Sequence, residues 1–334
     1  MLTLALGLGF ILCSWVLTTL IVRQMTRWVG AEKPTFLRAF GILLVLLVVS
    51  LPFVAAASWL QREIPANEPG RLLVTSLVLL AVQVLIDWLL VRWLVGITFG
   101  KAILVWLAAT LGGAVTLALF SFVMKPYVFE AFIIPTNNMA PTVIGWHEVG
   151  TCPHCAGTLT IPAGPPGDER YGHPGSMGIC EKCLKTSDHL ERRPPYQLFA
   201  GDRIMCNKLL GPRRWEVIIY RLPKDPKVKY LMRLVGLPGE TVVIKEGAVW
   251  IDGVKQTPPE EIALLEYTPT EFAPPTEFAT EENPLKLGAG ECFVLGDFPR
   301  ASADSRYDGP IPWENIEGVL GLRYYPLGRW KLWR

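Results

Sequence analysis

Charge is what this sequence has least of. Only 19% of its 334 residues are Asp, Glu, Lys or Arg, against about 25% in a typical soluble domain. Hydrophobic residues make up 51%, a balance that excludes a disordered chain, a collagen and an ordinary cytosolic enzyme. An excess of one sign is missing too. The 32 Lys+Arg stand against 30 Asp+Glu, a net charge of +2, so there is no bulk basic field to attract nucleic acid. Cysteine is sparse, 7 in all, too few for a disulfide scaffold.

What is present is unevenly placed. Four stretches, 2–22, 39–59, 72–95 and 102–124, reach the roughly 20 apolar residues that cross a bilayer core as a helix. The first has no Lys or Arg ahead of its apolar run and is long for the apolar region of a cleaved signal. It is expected to be a retained anchor. The loop after it holds Arg23, Arg27, Lys33 and Arg38, whereas the next holds only Arg62 and Arg71 beside Glu63 and Glu68. Short loops rich in Lys and Arg stay cytoplasmic. Four spans then leave everything after Met124 outside the cytoplasm, in a multi-pass protein of the cell (inner) membrane. Asp87 and Arg92 interrupt the third span. Ionisable residues inside a span are functional candidates by default; the alternative expectation is that Asp87 faces the bundle and Arg92 snorkels to the interface.

After residue 124 the composition changes. Short β-branched runs at 203–207, 216–220, 241–245, 248–252 and 292–295 are punctuated by Gly and Pro, as in a β-rich domain. Trp250-Ile251 beside Asp252-Gly253 suggests a hairpin turn. Two segments look inserted, 146–196 and 258–286. The second is acidic and proline-rich and repeats Pro-Thr-Glu-Phe-Ala at 269–273 and 275–279. It is expected to be a surface loop that buries little. The fold class expected is mostly β: four transmembrane helices over 1–124 carry a β-rich extracytoplasmic domain over 125–334.

Cys152-Pro-His-Cys155 and Cys180-Glu-Lys-Cys183 form two C-x-x-C knuckles with 24 residues between them. Two such knuckles can set four thiolates around one tetrahedral zinc, and the metal then supplies folding energy to a small module. Four cysteine ligands leave no open position, so the zinc expected here is structural. Disulfides and a redox C-x-x-C are the alternatives, and the redox reading lacks the βαβ surroundings it needs. His154, inside the first knuckle, is expected to be exposed. With five Lys/Arg against six Asp/Glu, segment 146–196 has no basic footprint for nucleic acid. Cys13, Cys206 and Cys292 read as buried small residues.

The stretch Phe132-Ile-Ile-Pro-Thr-Asn-Asn-Met-Ala-Pro-Thr142 resembles the nucleophile motif of bacterial type I signal peptidases, Ile-Pro-Ser-x-Ser-Met-x-Pro-Thr. Gly201-Asp-Arg-Ile-Met-Cys-Asn-Lys208 resembles the family's Gly-Asp-Arg strand. Tyr230-Leu-Met-Arg-Leu-Val-Gly-Leu-Pro-Gly-Glu240 is similar to its Tyr-Ile-Lys-Arg-Val-Val-Gly-Leu-Pro-Gly-Asp. Gly296-Asp-Phe-Pro-Arg-Ala-Ser-Ala-Asp-Ser-Arg306 is similar to its Gly-Asp-Asn-Arg-x-x-Ser-x-Asp-Ser-Arg, and 312–318 to its closing segment. The resemblance runs from Phe132 to Leu320 apart from the two insertions.

It implies a β-rich domain at the outer membrane face that cleaves signal peptides after small residues without a catalytic cofactor. A serine attacks, and a buried neutral lysine takes its proton. Residue by residue, the nucleophile position falls on Asn138 and the base position on Met232. A carboxamide nitrogen is a poor nucleophile, and a thioether has no proton to exchange. Thr136 matches the oxyanion hydroxyl, Ser302 the serine that orients the base, and Asp304 and Arg306 the adjacent ion pair. Phe298-Pro299 replace the family's Asn-Arg. Phe132, Ile134, Tyr230 and Leu231 match the groove where an extended substrate adds as a strand, or else are core. The leading expectation is therefore a zinc-stabilised, catalytically impaired homologue. Its partners would be signal peptides or exported preproteins, the lipid bilayer and a protein subunit, without nucleic acid. Two other readings stay open: a working signal peptidase with a relocated nucleophile (Ser302, Cys206 or Ser305, with Lys208), and a structural membrane module.

Overall fold

Apolar runs that long satisfy their backbone hydrogen bonds internally only as helices. The computed structural model, which describes residues 2–31, 35–63, 69–124, 127–166, 176–194, 197–267 and 278–333, has four of them in the first of two compact units, Met1–Lys125 and Pro126–Arg334. They are α1 (Leu2–Trp28), α2 (Phe36–Glu63), α3 (Pro69–Val95) and α4 (Phe99–Leu119). Helices α1 and α3 each pack on both α2 and α4. A small core of Val22, Ala39, Val91, Ala102 and Val105 holds them. Leu17, Val48, Leu77 and Leu111 face outward, the reverse of a soluble bundle. Among the described residues three stretches, Phe36–Leu60, Leu73–Val95 and Phe99–Phe122, are long and apolar enough to cross a membrane. The expected span at 2–22 is helical as well, and the side chains of 2–8 lie outside the described residues. Asp87 is buried against the other helices, while Arg92 is exposed over the Phe99 ring. Cys13, expected to be buried, is exposed, because it sits on a face of α1 that no helix of this unit covers.

In the second unit the side-chain period changes to two. Strand β1 (Phe129–Ile133) opens it. The first insertion supplies β2 (His147–Thr151), β3 (Thr158–Pro162), β4 (Gly178–Cys180), β5 (Thr186–Ser187) and β6 (Glu191–Arg192), a separate sheet in the order β5-β4-β3-β2-β6. Next come β7 (Arg203–Asn207), β8 (Val217–Leu222) and β9 (Asp225–Gly236). A small sheet follows, β12-β11-β10-β13, from β10 (Thr241–Lys245), β11 (Ala248–Ile251), β12 (Val254–Lys255) and β13 (Leu285–Lys286). Strands β14 (Glu291–Leu295), β15 (Ile311–Pro312), β16 (Ile316–Tyr325) and β17 (Lys331–Leu332) complete the main sheet. Its order is β1-β7-β16-β8-β9-β14-β15, with β17 on β16. The expected hairpin turn is there: Asp252 (φ 49°) and Gly253 (φ 79°) are both left-handed between paired Ile251 and Val254, as a tight two-residue turn demands.

Two apolar clusters hold this unit. One gathers Ile204, Ile218, Met232, Leu234 and Val294 within the main sheet. The other joins Val235, Val242, Phe293 and Phe298 to Met177, Ile179 and Leu184 of the first insertion. Segment 258–286 does not simply lie on the surface. Ile262, Leu265, Tyr267 and Ala279 enter that second cluster, because apolar residues flank the acidic stretch on both sides. Its first Pro-Thr-Glu-Phe-Ala copy lies outside the described residues.

Candidate functional site

Strands β1 and β9 of the main sheet are linked through Lys229. Strand β1 pairs only with β7, and β9 pairs with β14 only through Arg233, Leu234 and Gly236, so each leaves a free edge among the described residues. Lys229 of β9 reaches Glu130 of β1 at 2.9 Å and sits 5.4 Å over the Phe132 ring. Phe132, Tyr230 and Leu231 are half-buried, and Ile134 is buried, all packed on the main-sheet core. Two free strand edges with apolar walls can take an extended chain as an added strand.

The loop leaving β1 is held from several directions. The Asn137 carboxamide donates to the Trp146 carbonyl at 2.7 Å and accepts from the Gly145 N–H at 2.9 Å. Asp202, from the Gly-Asp-Arg segment, accepts from the Ile144 N–H at 2.9 Å. Position 145 must be glycine, since a Cβ there would lie 2.4 Å from the Thr136 carbonyl oxygen. Thr136 is left exposed and Asn138 half-buried. The Asn138 carbonyl accepts the Phe298 N–H at 3.0 Å.

Behind the Asn138 backbone stand Gly296 and Ser302, and Met232 lies against Ser302. A Cβ on Gly296 would lie 2.7 Å from the Asn138 carbonyl oxygen and 2.0 Å from Ser302 Oγ, so these two residues crowd one point. Met232 is fully buried, and Ser302 Oγ donates to its Sδ at 3.7 Å. A thioether is a weak acceptor that cannot take up a proton. Asp304 accepts from Arg306 Nε at 2.8 Å and from the Gly296 N–H at 2.9 Å, tying the ion pair to the same turn. Fully buried Phe298 leads into the turn Pro299–Ala301. The candidates for a relocated nucleophile are enclosed. Burial pushes the Cys206 thiol up to about 12, Ser305 Oγ accepts the Val294 N–H, and Lys208 is paired with Glu130 at 2.7 Å.

Sequence reasoning missed two features. Arg233, beside Met232, is 1% exposed and grips Asp297 with two hydrogen bonds of 2.7 and 2.5 Å. Burial alone would lower its pKa; the Asp297 carboxylate more than offsets that and raises it. A charged residue inside an apolar strand run was the available signal. The second is a pocket of 160 Å³ beside Asn138, lined also by Thr136, Ala301, and Pro162 and Ala163 of the first insertion. Nothing in the spacing of an insertion announces which of its residues reach back to a site.

The four knuckle cysteines do meet. Their sulfurs lie within 4.8 Å of one another, with Cys152–Cys183 at 3.8 Å and Cys155–Cys180 at 3.5 Å. All four are free cysteines. A disulfide needs about 2.05 Å, whereas a tetrahedron of sulfurs 2.3 Å from one ion has edges of about 3.8 Å. The group could hold a metal ion. His154 is exposed.

Comparison with known proteins places the chain in a family. A family model described as signal peptidase, peptidase S26, matches residues 194–325. Signal peptidase I of Bacillus caldolyticus is 32% identical over 139 residues, 39% of this chain and 72% of that protein. Probable signal peptidase I-1 of Synechocystis is 29% identical over 141 residues, 39% of this chain and 65% of that protein. A second Synechocystis relative, probable signal peptidase I-2, is 31% identical with 57% of its length covered. The chain thus spans less than two thirds of the length of both cyanobacterial relatives. A solved signal peptidase I from Enterococcus faecalis shares 30% identity, covering 33% of this chain and 97% of that one, with a TM-score of 0.27. The chain belongs to the signal peptidase I family.

Proposed function

We propose that this protein binds signal peptides in the cleft between β1 and β9 and does not cleave them. The observation that carries this reading is Met232: a fully buried thioether, 3.7 Å from Ser302 Oγ, at the position where the family's motif has its lysine. Asn138, at the serine position of the same motif, supports it. Ser302, Asp304 and Arg306 keep the family's residue types, and Thr136 keeps a hydroxyl, around a centre without nucleophile or base. The cysteine module over 146–196 holds one structural zinc. Helices α1 to α4 all span the cell membrane, with the β unit over 125–334, including the 258–286 insertion, on the extracytoplasmic side, where exported preproteins emerge.

The test is purified protein in detergent mixed with a fluorescein-labelled synthetic signal peptide ending in a small-x-small sequence. Saturable binding with the peptide recovered intact is expected, competed by unlabelled peptide and weakened by Leu231→Asp, which puts a charge on the cleft wall. Absence of binding refutes the reading. Metal analysis should give about one zinc per chain, lost in Cys152→Ser with Cys180→Ser.

A further inference from the structure

The first insertion touches the candidate site at three separate places, each beside or a few residues beyond a knuckle cysteine. Strand β3 is the most direct. Leu159 pairs with Cys180 at one end, and Pro162 lines the pocket beside Asn138 at the other. Ala163, next in the chain, donates its N–H to the Trp146 carbonyl at 2.9 Å. The Asn137 carboxamide donates to that same carbonyl at 2.7 Å. One five-residue strand therefore runs from a metal ligand to the pocket wall.

Two arginines make the other connections. Glu181 directly follows Cys180, and its carboxylate accepts from Arg329 at 3.4 Å. The other Arg329 nitrogen donates to the Pro141 carbonyl at 3.0 Å, in the loop that carries Asn138. Arg300 lies in the turn between Phe298 and Ser302. It donates to Thr186 Oγ1 at 3.3 Å and to the Asp188 carboxylate at 3.4 Å, just beyond Cys183. Ala301, its neighbour, lines the pocket. The pocket walls on both sides of Asn138 are thus fastened to the segment 180–188.

Within that segment Leu184 enters the larger core, beside Met177 and Ile179 of the same insertion. Its own buried cluster is Cys152, Leu159, Ile161 and Cys180, so half of this small core is metal-ligating cysteine. Around the thiolates themselves apolar packing is sparse, so this part of the module gains its order as the metal binds. Metal-bound and metal-free states supply the two arrangements that a real coupling between sites requires.

We propose that the cysteine module is a structural wall of the peptide pocket, and that a metal ion held by its four thiolates controls peptide binding there. This rests on the reading of the cleft as a peptide site. Coupling is reciprocal: whatever factor the metal adds to peptide affinity, the peptide adds to metal affinity.

The experiment measures the labelled signal peptide by anisotropy, on protein loaded with zinc and on protein stripped by a chelator. The metal arm times zinc release to a chromogenic chelator, with and without saturating peptide. Stripping should weaken peptide binding by about tenfold, within the usual range for coupled sites, and peptide should retard zinc release. Arg300→Gln with Arg329→Gln leaves all four cysteines in place and covers the case in which stripping unfolds the protein. It should keep about one zinc per chain and still lose peptide affinity. Peptide binding that is present in the zinc-loaded protein and unchanged both by stripping and in the arginine variant overturns the coupling. No peptide binding by the zinc-loaded native protein overturns the cleft reading instead, and the coupling with it.

Discussion

A hydroxyl beside a thioether is a poor start for hydrolysis. Ser302 Oγ donates to Met232 Sδ at 3.7 Å, and neither group can lift a proton from a nucleophile at position 138. Asn138 offers a carboxamide whose nitrogen lone pair is delocalised. The neighbouring strand position carries a different burden. Arg233 and Asp297 are both buried and paired, and removing one partner from such a pair costs about 3–5 kcal/mol because the other charge stays behind. Asp297→Asn should lower the chain's stability by that amount, read from thermal unfolding in detergent. Arg233→Met combined with Asp297→Leu should recover most of it, since two apolar groups of similar size replace the pair at little cost. A double variant as unstable as the single would refute that account.

At the scale of elements, β1 matters most, because it leads into the Asn138 loop. Glu130 holds it in place through Lys208 and Lys229. Burial alone would raise the Glu130 pKa, but hydrogen bonds from the two lysines more than offset it and hold it below its ordinary 4.5. Glu317 on β16 is lowered in the same way, by Lys229 and Arg221 against burial. A depressed folded pKa gives stability that is whole above the unfolded value and lost as pH falls through the folded one. Acid should therefore weaken the native protein more than Glu130→Gln with Glu317→Gln. The two melting curves should differ at about pH 7 and converge near about pH 3; parallel curves would contradict it. These elements differ in how far the sequence reveals them. Strands β7, β8, β10, β11 and β14 are legible as β-branched runs ended by Gly or Pro, and the hairpin at Asp252-Gly253 as a turn dipeptide. The burial of Ile262, Leu265, Tyr267 and Ala279 is not. Their apolar side chains are diluted in an acidic, proline-rich stretch, and only the tertiary fold shows a core within reach.

For the whole molecule, the family motifs lead directly to the convergence of Asn138, Met232 and Ser302, because they fall in family order along the chain. The pocket wall of Pro162, Ala163 and Ala301 had no such guide, since an insertion has no family register. Topology rests on the basic loop after the first span, with Arg23, Arg27, Lys33 and Arg38. A reporter fused after the C-terminus should be active only outside the cytoplasm, and one placed near Trp28 only inside. The reverse pattern would put the cleft on the wrong side for exported peptides. The central claim is a peptide cleft without its catalytic pair, and turnover tests it most directly. The native protein, Asn138→Ser, Met232→Lys and the double variant are each incubated with a signal-peptide substrate, and the products are identified by mass. Losing the nucleophile of a serine protease costs about 10⁶ in rate. No cleavage above background is therefore expected from the native protein or either single variant, and gain of cleavage only in the double. Efficient cleavage by the unaltered protein would contradict the account.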